Sequence, residues 1–131
     1  MGVVLGNGLV AMIKIQLPYP NPKLSPNQYK RSWAGKARLA KAYRFDCCMI
    51  ANSIVGPKGG FIWAKTVKLP VKITFHPPDK RRRDRDNMIA AFKSGQDGIV
   101  DAIGVDDADW IPSYEVGDVI KGGAVILEIG I

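Results

Sequence analysis

The sequence predicts a small α/β domain: one mixed sheet of about four strands with two main helices, in the order strand, helix, strand, helix, strand, strand. Three observations predict it. Runs of branched residues mark strands near both ends and in the middle of the chain. Two intervening stretches repeat apolar residues at three- and four-residue steps, the spacing of amphipathic helices. A length of 131 residues suits one domain, 1–131, large enough to bury a substantial core.

The first strand is expected in Leu9 to Leu17, "LVAMIKIQL", which stops at "PYPNPKLSP", where four prolines forbid regular structure and leave an extended loop. From about Trp33 to Ile54, a helix is read from Trp33, Ala37, Ala40, Cys47, Ala51 and Ile54, with Arg44 the one exception on that face. Its other positions carry Arg31, Lys36, Arg38 and Lys41, either a solvated face or a stripe that tracks phosphates. Gly56 to Gly60 form a flexible break, without the spacing of a phosphate loop. "TVKLPVKITF" alternates Val71, Ile73 and Phe75 with Lys72 and Thr74, a half-exposed strand that His76 closes before Pro77 and Pro78. The second helix is expected over Asn87 to about Ala102, with Met88, Ile89, Phe92, Ile99 and Ile103 supplying much of an apolar face and Asp86 as its N-cap. Two strands around Lys121-Gly122-Gly123 then read as a hairpin.

Adjacent Cys47 and Cys48 rarely reach disulfide geometry, which implies a reduced, cytoplasmic setting, and both read as buried small hydrophobes. The apolar N-terminus lacks a cationic lead-in and is interrupted by Asn7 and Lys14, so neither a signal peptide nor a membrane span is expected. The unusual total is charge. With 19 Lys and Arg against 12 Asp and Glu, the net charge of +7 concentrates polyanions at the surface. Nucleic acid is the first partner to consider, an anionic membrane surface the second, and a merely soluble surface the bland account.

The charge is densest in "DKRRRDRD", Asp79 to Asp86, where five cations surround three aspartates. If Asp84 and Asp86 leave a strand one residue apart, both carboxylates face one side. A hard cation such as Mg²⁺ is held by one or two carboxylates with water and phosphate oxygens. More carboxylates follow at Asp106, Asp107 and Asp109. Carboxylates for metal beside arginines for phosphate is the combination that hydrolyses a phosphodiester. Three readings stay open on spacing alone: a nuclease, a nucleic-acid binder without cleavage, and a basic subunit that docks on an acidic protein. Dependence on Mg²⁺ or Mn²⁺ separates the first from the second.

"PPDKRRRDRDN", the helix after it, "VDDADW" and the closing "IKGGAVILEI" resemble the RusA family of crossover junction endodeoxyribonucleases of phages and prophages, and "LPYPNP" is similar to that family's proline-rich segment. The resemblance runs from about Ile13 to Ile129. It implies a homodimeric, Mg²⁺-dependent nuclease of DNA recombination and repair, with Mn²⁺ as the substitute metal, resolving four-way DNA junctions by paired nicks. The family's metal-binding aspartates then fall on Asp84, Asp86 and Asp107. Its essential lysine, four residues after the second aspartate, would fall on Ala90, so the role passes to Lys93, one turn further on. Lys80, Arg81, Arg82 and Arg83 would grip DNA. A sixteen-residue helix at ~1.5 Å per residue would carry the chain ~24 Å from Asp84 and Asp86. Unless it broke at Gly95 or Gly98, Asp107 is expected to complete the partner subunit's site in a two-fold dimer.

Overall fold

A computed structural model describes residues 13–25, 33–55 and 68–130. The predicted start of the first strand at Leu9, the break at Gly56 to Gly60, Arg31, the side chain of Trp33 and the apolar N-terminus lie outside the described residues.

The elements are β1 (Ile13–Leu17), α1 (Trp33–Val55), β2 (Leu69–His76), α2 (Arg85–Ile103), β3 (Trp110–Val116) and β4 (Ala124–Ile129). They build one small α+β domain with a mixed four-stranded sheet, as the sequence predicts. Alternation decides which face of the sheet is buried. Ile13, Ile15 and Leu17 of β1 and Leu69, Val71, Ile73 and Phe75 of β2 point inward, while Lys14, Gln16 and Lys72 stay exposed. The helices supply the other half of the core through Tyr43, Cys47 and Ala51 of α1 and Met88, Phe92 and Ile99 of α2. Phe92 is the hinge of this packing, edge-on to both Phe75 at 5.8 Å and Tyr43 at 6.3 Å.

Where the two helices meet, glycines replace side chains. A Cβ on Gly98 would collide with the Arg44 carbonyl oxygen, and one on Gly95 would lie 2.5 Å from the Tyr43 ring. Both glycines therefore serve close helix packing, and α2 continues through them unbroken. Arg44, the polar exception on the predicted apolar face of α1, is exposed and forks onto Asp101 of α2 with contacts of 2.7 and 2.8 Å. Cys47 is buried and Cys48 half-buried, both free, and burial pushes the Cys47 thiol up to about 12.

The expected hairpin is replaced by a crossover. The sheet order is β1-β4-β2-β3, with β3 parallel to β2 and β4 antiparallel between β1 and β2. β2, α2 and β3 make a strand, helix, parallel strand unit, which places β3 at the sheet edge. The glycine pair does turn the chain, at φ 83° and 76°, but it leads from one side of β2 to the other. Backbone bonds from Gly117 to the Phe75 carbonyl and from Ile120 to the Pro77 carbonyl guide the linker over the end of β2. The central position of β4 explains its nearly continuous apolar sequence, "AVILEI".

Candidate nucleic-acid and metal site

The basic run lies between β2 and α2, and the start of α2 corrects the expected cap. Asp84, not Asp86, is the N-cap: its backbone is extended, its carboxylate accepts the Asp86 amide hydrogen at 3.0 Å, and its carbonyl accepts from Asn87 and Met88. Asp86 stands in the first turn, where the helix dipole favours a negative charge. The two carboxylates thus share a helix start rather than one side of an extended strand. Both are exposed, and their oxygens are the hard donors that suit Mg²⁺.

Seven residues after Asp86, nearly two full turns on, Lys93 projects from the same face of α2. Between them stands Ala90, whose methyl group leaves that part of the face low. The Lys93 ammonium lies 2.7 Å from an Asp107 carboxylate oxygen and 3.0 Å from Asp97. Gln96 donates to the same Asp107 oxygen at 3.1 Å, and its carbonyl oxygen accepts from the Tyr114 hydroxyl at 3.0 Å. Asp107 is therefore oriented by α2 and, through Gln96, by β3. The Lys93 ammonium, then Gln96, hold its carboxyl below the usual carboxylate range. Asp107, then Asp97, raise Lys93, which keeps it a cation at neutral pH.

Asp107 reaches Lys93 because the chain reverses at Gly104, the left-handed C-cap at φ 75°, rather than at Gly95 or Gly98. The unbroken helix does carry the chain away from Asp84 and Asp86, as expected, and the reversal at Gly104 brings Asp107 back only to the middle of the same helix. It stops at Lys93, leaving Asp84 and Asp86 two turns away. Among the described residues, no three His, Cys, Asp or Glu side chains stand close enough together to hold a metal ion. Asp106 caps the short turn Asp107–Asp109 by accepting the Ala108 amide hydrogen, while Asp109 is exposed.

Four of the five cations of the run have different surroundings. Arg83 is the most enclosed; it bonds the Asp79 carboxylate at 2.9 Å and the carbonyls of Asp79 and Arg81, so it pins its own loop. Arg81 faces Asp79 at 3.3 Å and is mostly exposed. Lys80 and Arg82 are exposed and have neither a hydrogen bond nor an ion pair among the described residues. Of the predicted stripe on α1, Arg38 and Lys41 are exposed, whereas Lys36 donates to the Ser25 carbonyl at 2.9 Å and so ties α1 to the proline-rich loop.

Sequence reasoning missed Gln96 and Tyr114. The signal was present: Gln96 falls four residues after Phe92 and three before Ile99, a polar side chain on the apolar stripe, and a buried amide needs partners.

Among the described residues, no helix is long and apolar enough to cross a membrane. No protein-family model matches the chain. It is 31% identical over 123 residues to an uncharacterized protein of Xylella fastidiosa, the match covering 93% of this chain and 78% of that one.

Proposed function

The chain belongs to the same family as the uncharacterized Xylella protein, and we propose that it is a Mg²⁺-dependent endodeoxyribonuclease acting on four-way DNA junctions, a resolvase of the RusA type. The observation that carries this reading is the Lys93 to Asp107 contact of 2.7 Å on the helix that Asp84 opens. A protonated lysine and carboxylates on one helix, beside exposed Lys80 and Arg82 that are unpaired among the described residues, match what phosphodiester hydrolysis requires.

Asp84 and Asp86 would hold Mg²⁺, or Mn²⁺ in its place, with Asp107 as the third carboxylate. The metal when bound lowers the pKa of its water and neutralises charge on the phosphate. Lys93, held charged by its two aspartates, stabilises the negative charge that develops on the phosphate oxygens. Gln96 positions Asp107. Lys80 and Arg82 take flanking phosphates, with Arg81 available once it leaves Asp79, and Arg83 keeps the loop in shape. A homodimer would present two such sites to two strands of a junction, and the two free cysteines suit a reducing cytoplasm.

The second reading, a nucleic-acid binder without cleavage, is favoured by one observation: Asp107 is already satisfied by Lys93 and Gln96. Incubation of the protein with a labelled four-way junction and with linear duplex, with Mg²⁺ and with chelator, separates the two. Scission of the junction only with metal is expected. Equal binding in both conditions with every strand intact would establish the binder.

A further inference from the structure

Beside the carboxylates lies a feature that the cleavage chemistry does not use, a cavity of about 290 Å³ between the proline-rich loop and the first turns of α2. We propose that it receives one unstacked nucleobase of the DNA, next to the phosphate to be cut. This inference rests on the nuclease reading.

The size is at the lower end of the ~300–1,000 Å³ of small-ligand pockets, which suits a base with its sugar. Its lining suits the same ligand. Met88 and Ala91, both buried, give an apolar floor, and Tyr19 gives an aromatic surface of the kind on which bases stack. The half-buried Asn87 amide offers a donor and an acceptor together, the pairing that base edges require. Arg82 and Asp84 also line it. A base seated here would thus have its phosphate near both a free guanidinium and a carboxylate of the metal site.

The loop wall is built, not incidental. The Tyr43 hydroxyl donates to the Pro18 carbonyl at 2.6 Å, and Lys36 holds the Ser25 carbonyl. Leu24 is buried in the core. Gly123 lets the β4 turn press on Tyr19, since a Cβ there would lie 2.7 Å from the Tyr19 Cβ. Unstacking costs least where a base already lacks a stacking neighbour, and a crossover whose arms are held apart by the protein offers such positions.

The test places 2-aminopurine, whose emission rises when it unstacks, at each position flanking the crossover, with Ca²⁺ replacing Mg²⁺ to prevent cutting. An emission rise at one position with the wild-type protein is expected. Tyr19→Leu and Asn87→Leu should each abolish that rise, with junction affinity lowered by up to about tenfold, the scale of one lost stacking contact. Two variants are used because Tyr19 also packs against the β4 turn; circular dichroism reports whether each is folded. If the wild type nicks the junction yet no position brightens, the base pocket is overturned and the nuclease reading stands. A rise that persists in folded Asn87→Leu and Tyr19→Leu would place the unstacked base elsewhere and also overturn it. If the wild type neither binds nor nicks the junction, the nuclease reading fails first and this inference with it.

Discussion

Lys93 and Asp107, fourteen positions apart in sequence, meet at 2.7 Å because Gly104 reverses the chain after α2. The contact fixes the carboxylate and keeps the ammonium protonated. Lys93→Gln removes the charge while keeping much of the side chain. Nicking should fall by about 10²- to 10³-fold, the scale of losing one transition-state stabilising group. Junction affinity, measured without cutting, should change little.

Asp84 carries two duties that substitutions can separate. Asparagine caps a helix about as well as aspartate, so Asp84→Asn should leave thermal stability near wild type while abolishing nicking. Asp84→Ala loses the cap as well and should cost about 1 kcal/mol of stability. Equal stability of the two variants in urea titrations would contradict the cap assignment, and normal cutting by Asp84→Asn would contradict the metal assignment.

Arg82 and Arg83 are adjacent but should respond differently. Arg82→Ala should weaken binding on all DNA sequences alike and reduce the slope of log affinity against log salt by about one unit. Arg83→Ala should instead loosen the Asp79 to Arg83 loop, visible as faster amide exchange there, because its bonds are to Asp79 and Arg81. A reversed pattern would mean that the enclosed arginine, not the exposed one, meets phosphate.

How the sequence was legible follows from the range of each interaction. Periodicity placed both helices within two residues, because amphipathic spacing is local. The cap of α2 was misplaced by two residues, since Asp84 and Asp86 are equally good capping residues and only the backbone of Asp84, extended at φ −85°, chooses between them. The β3 to β4 connection was misread because Gly122 and Gly123 specify a turn without specifying which strands flank it. What decides is β4 entering between β1 and β2, a long-range pairing that no local pattern encodes. Gly95 and Gly98 read as helix weakeners but are contact points, visible only once Tyr43 and Arg44 face them.

That contact gives a stability prediction. Gly98→Ala improves helix propensity yet drives a methyl group into the backbone of α1 at Arg44, so a net loss of about 1–3 kcal/mol is expected, the range for overpacking. Chemical denaturation measures it. A stabilised variant would mean that the helices can separate without penalty.

The Arg44 to Asp101 pair adds a pH dependence. Arg44 holds the Asp101 carboxyl below its ordinary value of 3.8, so the charged form is favoured in the folded state. The stabilisation is present above that value and lost as pH falls through the lower folded value. Both side chains are more than a third exposed, so the effect should be small and salt-sensitive. Asp101→Asn should therefore lower the melting temperature slightly at pH 7, and by less as the pH is taken down through the lowered value. An equal loss throughout would assign the effect to something other than the charge.

Lys93 and Gln96 of its own chain hold Asp107, so the gap of two helical turns to Asp84 and Asp86 is expected to close by movement within one subunit. Mixing Asp84→Asn with Asp107→Asn under subunit exchange should give heterodimers without a complete site and no recovered nicking. Recovery of single-strand nicks in verified heterodimers would show that subunits exchange Asp107.

The most direct measurement maps the cut itself. A four-way junction, labelled in turn on each of its four strands, is incubated with the wild-type protein and Mg²⁺, and the products are resolved at single-nucleotide length. The expected result is two nicks at symmetric positions in two opposing strands, absent with chelator and absent in Asp84→Asn. Four intact strands under conditions where the protein demonstrably binds the junction with Mg²⁺ present would contradict the nuclease assignment.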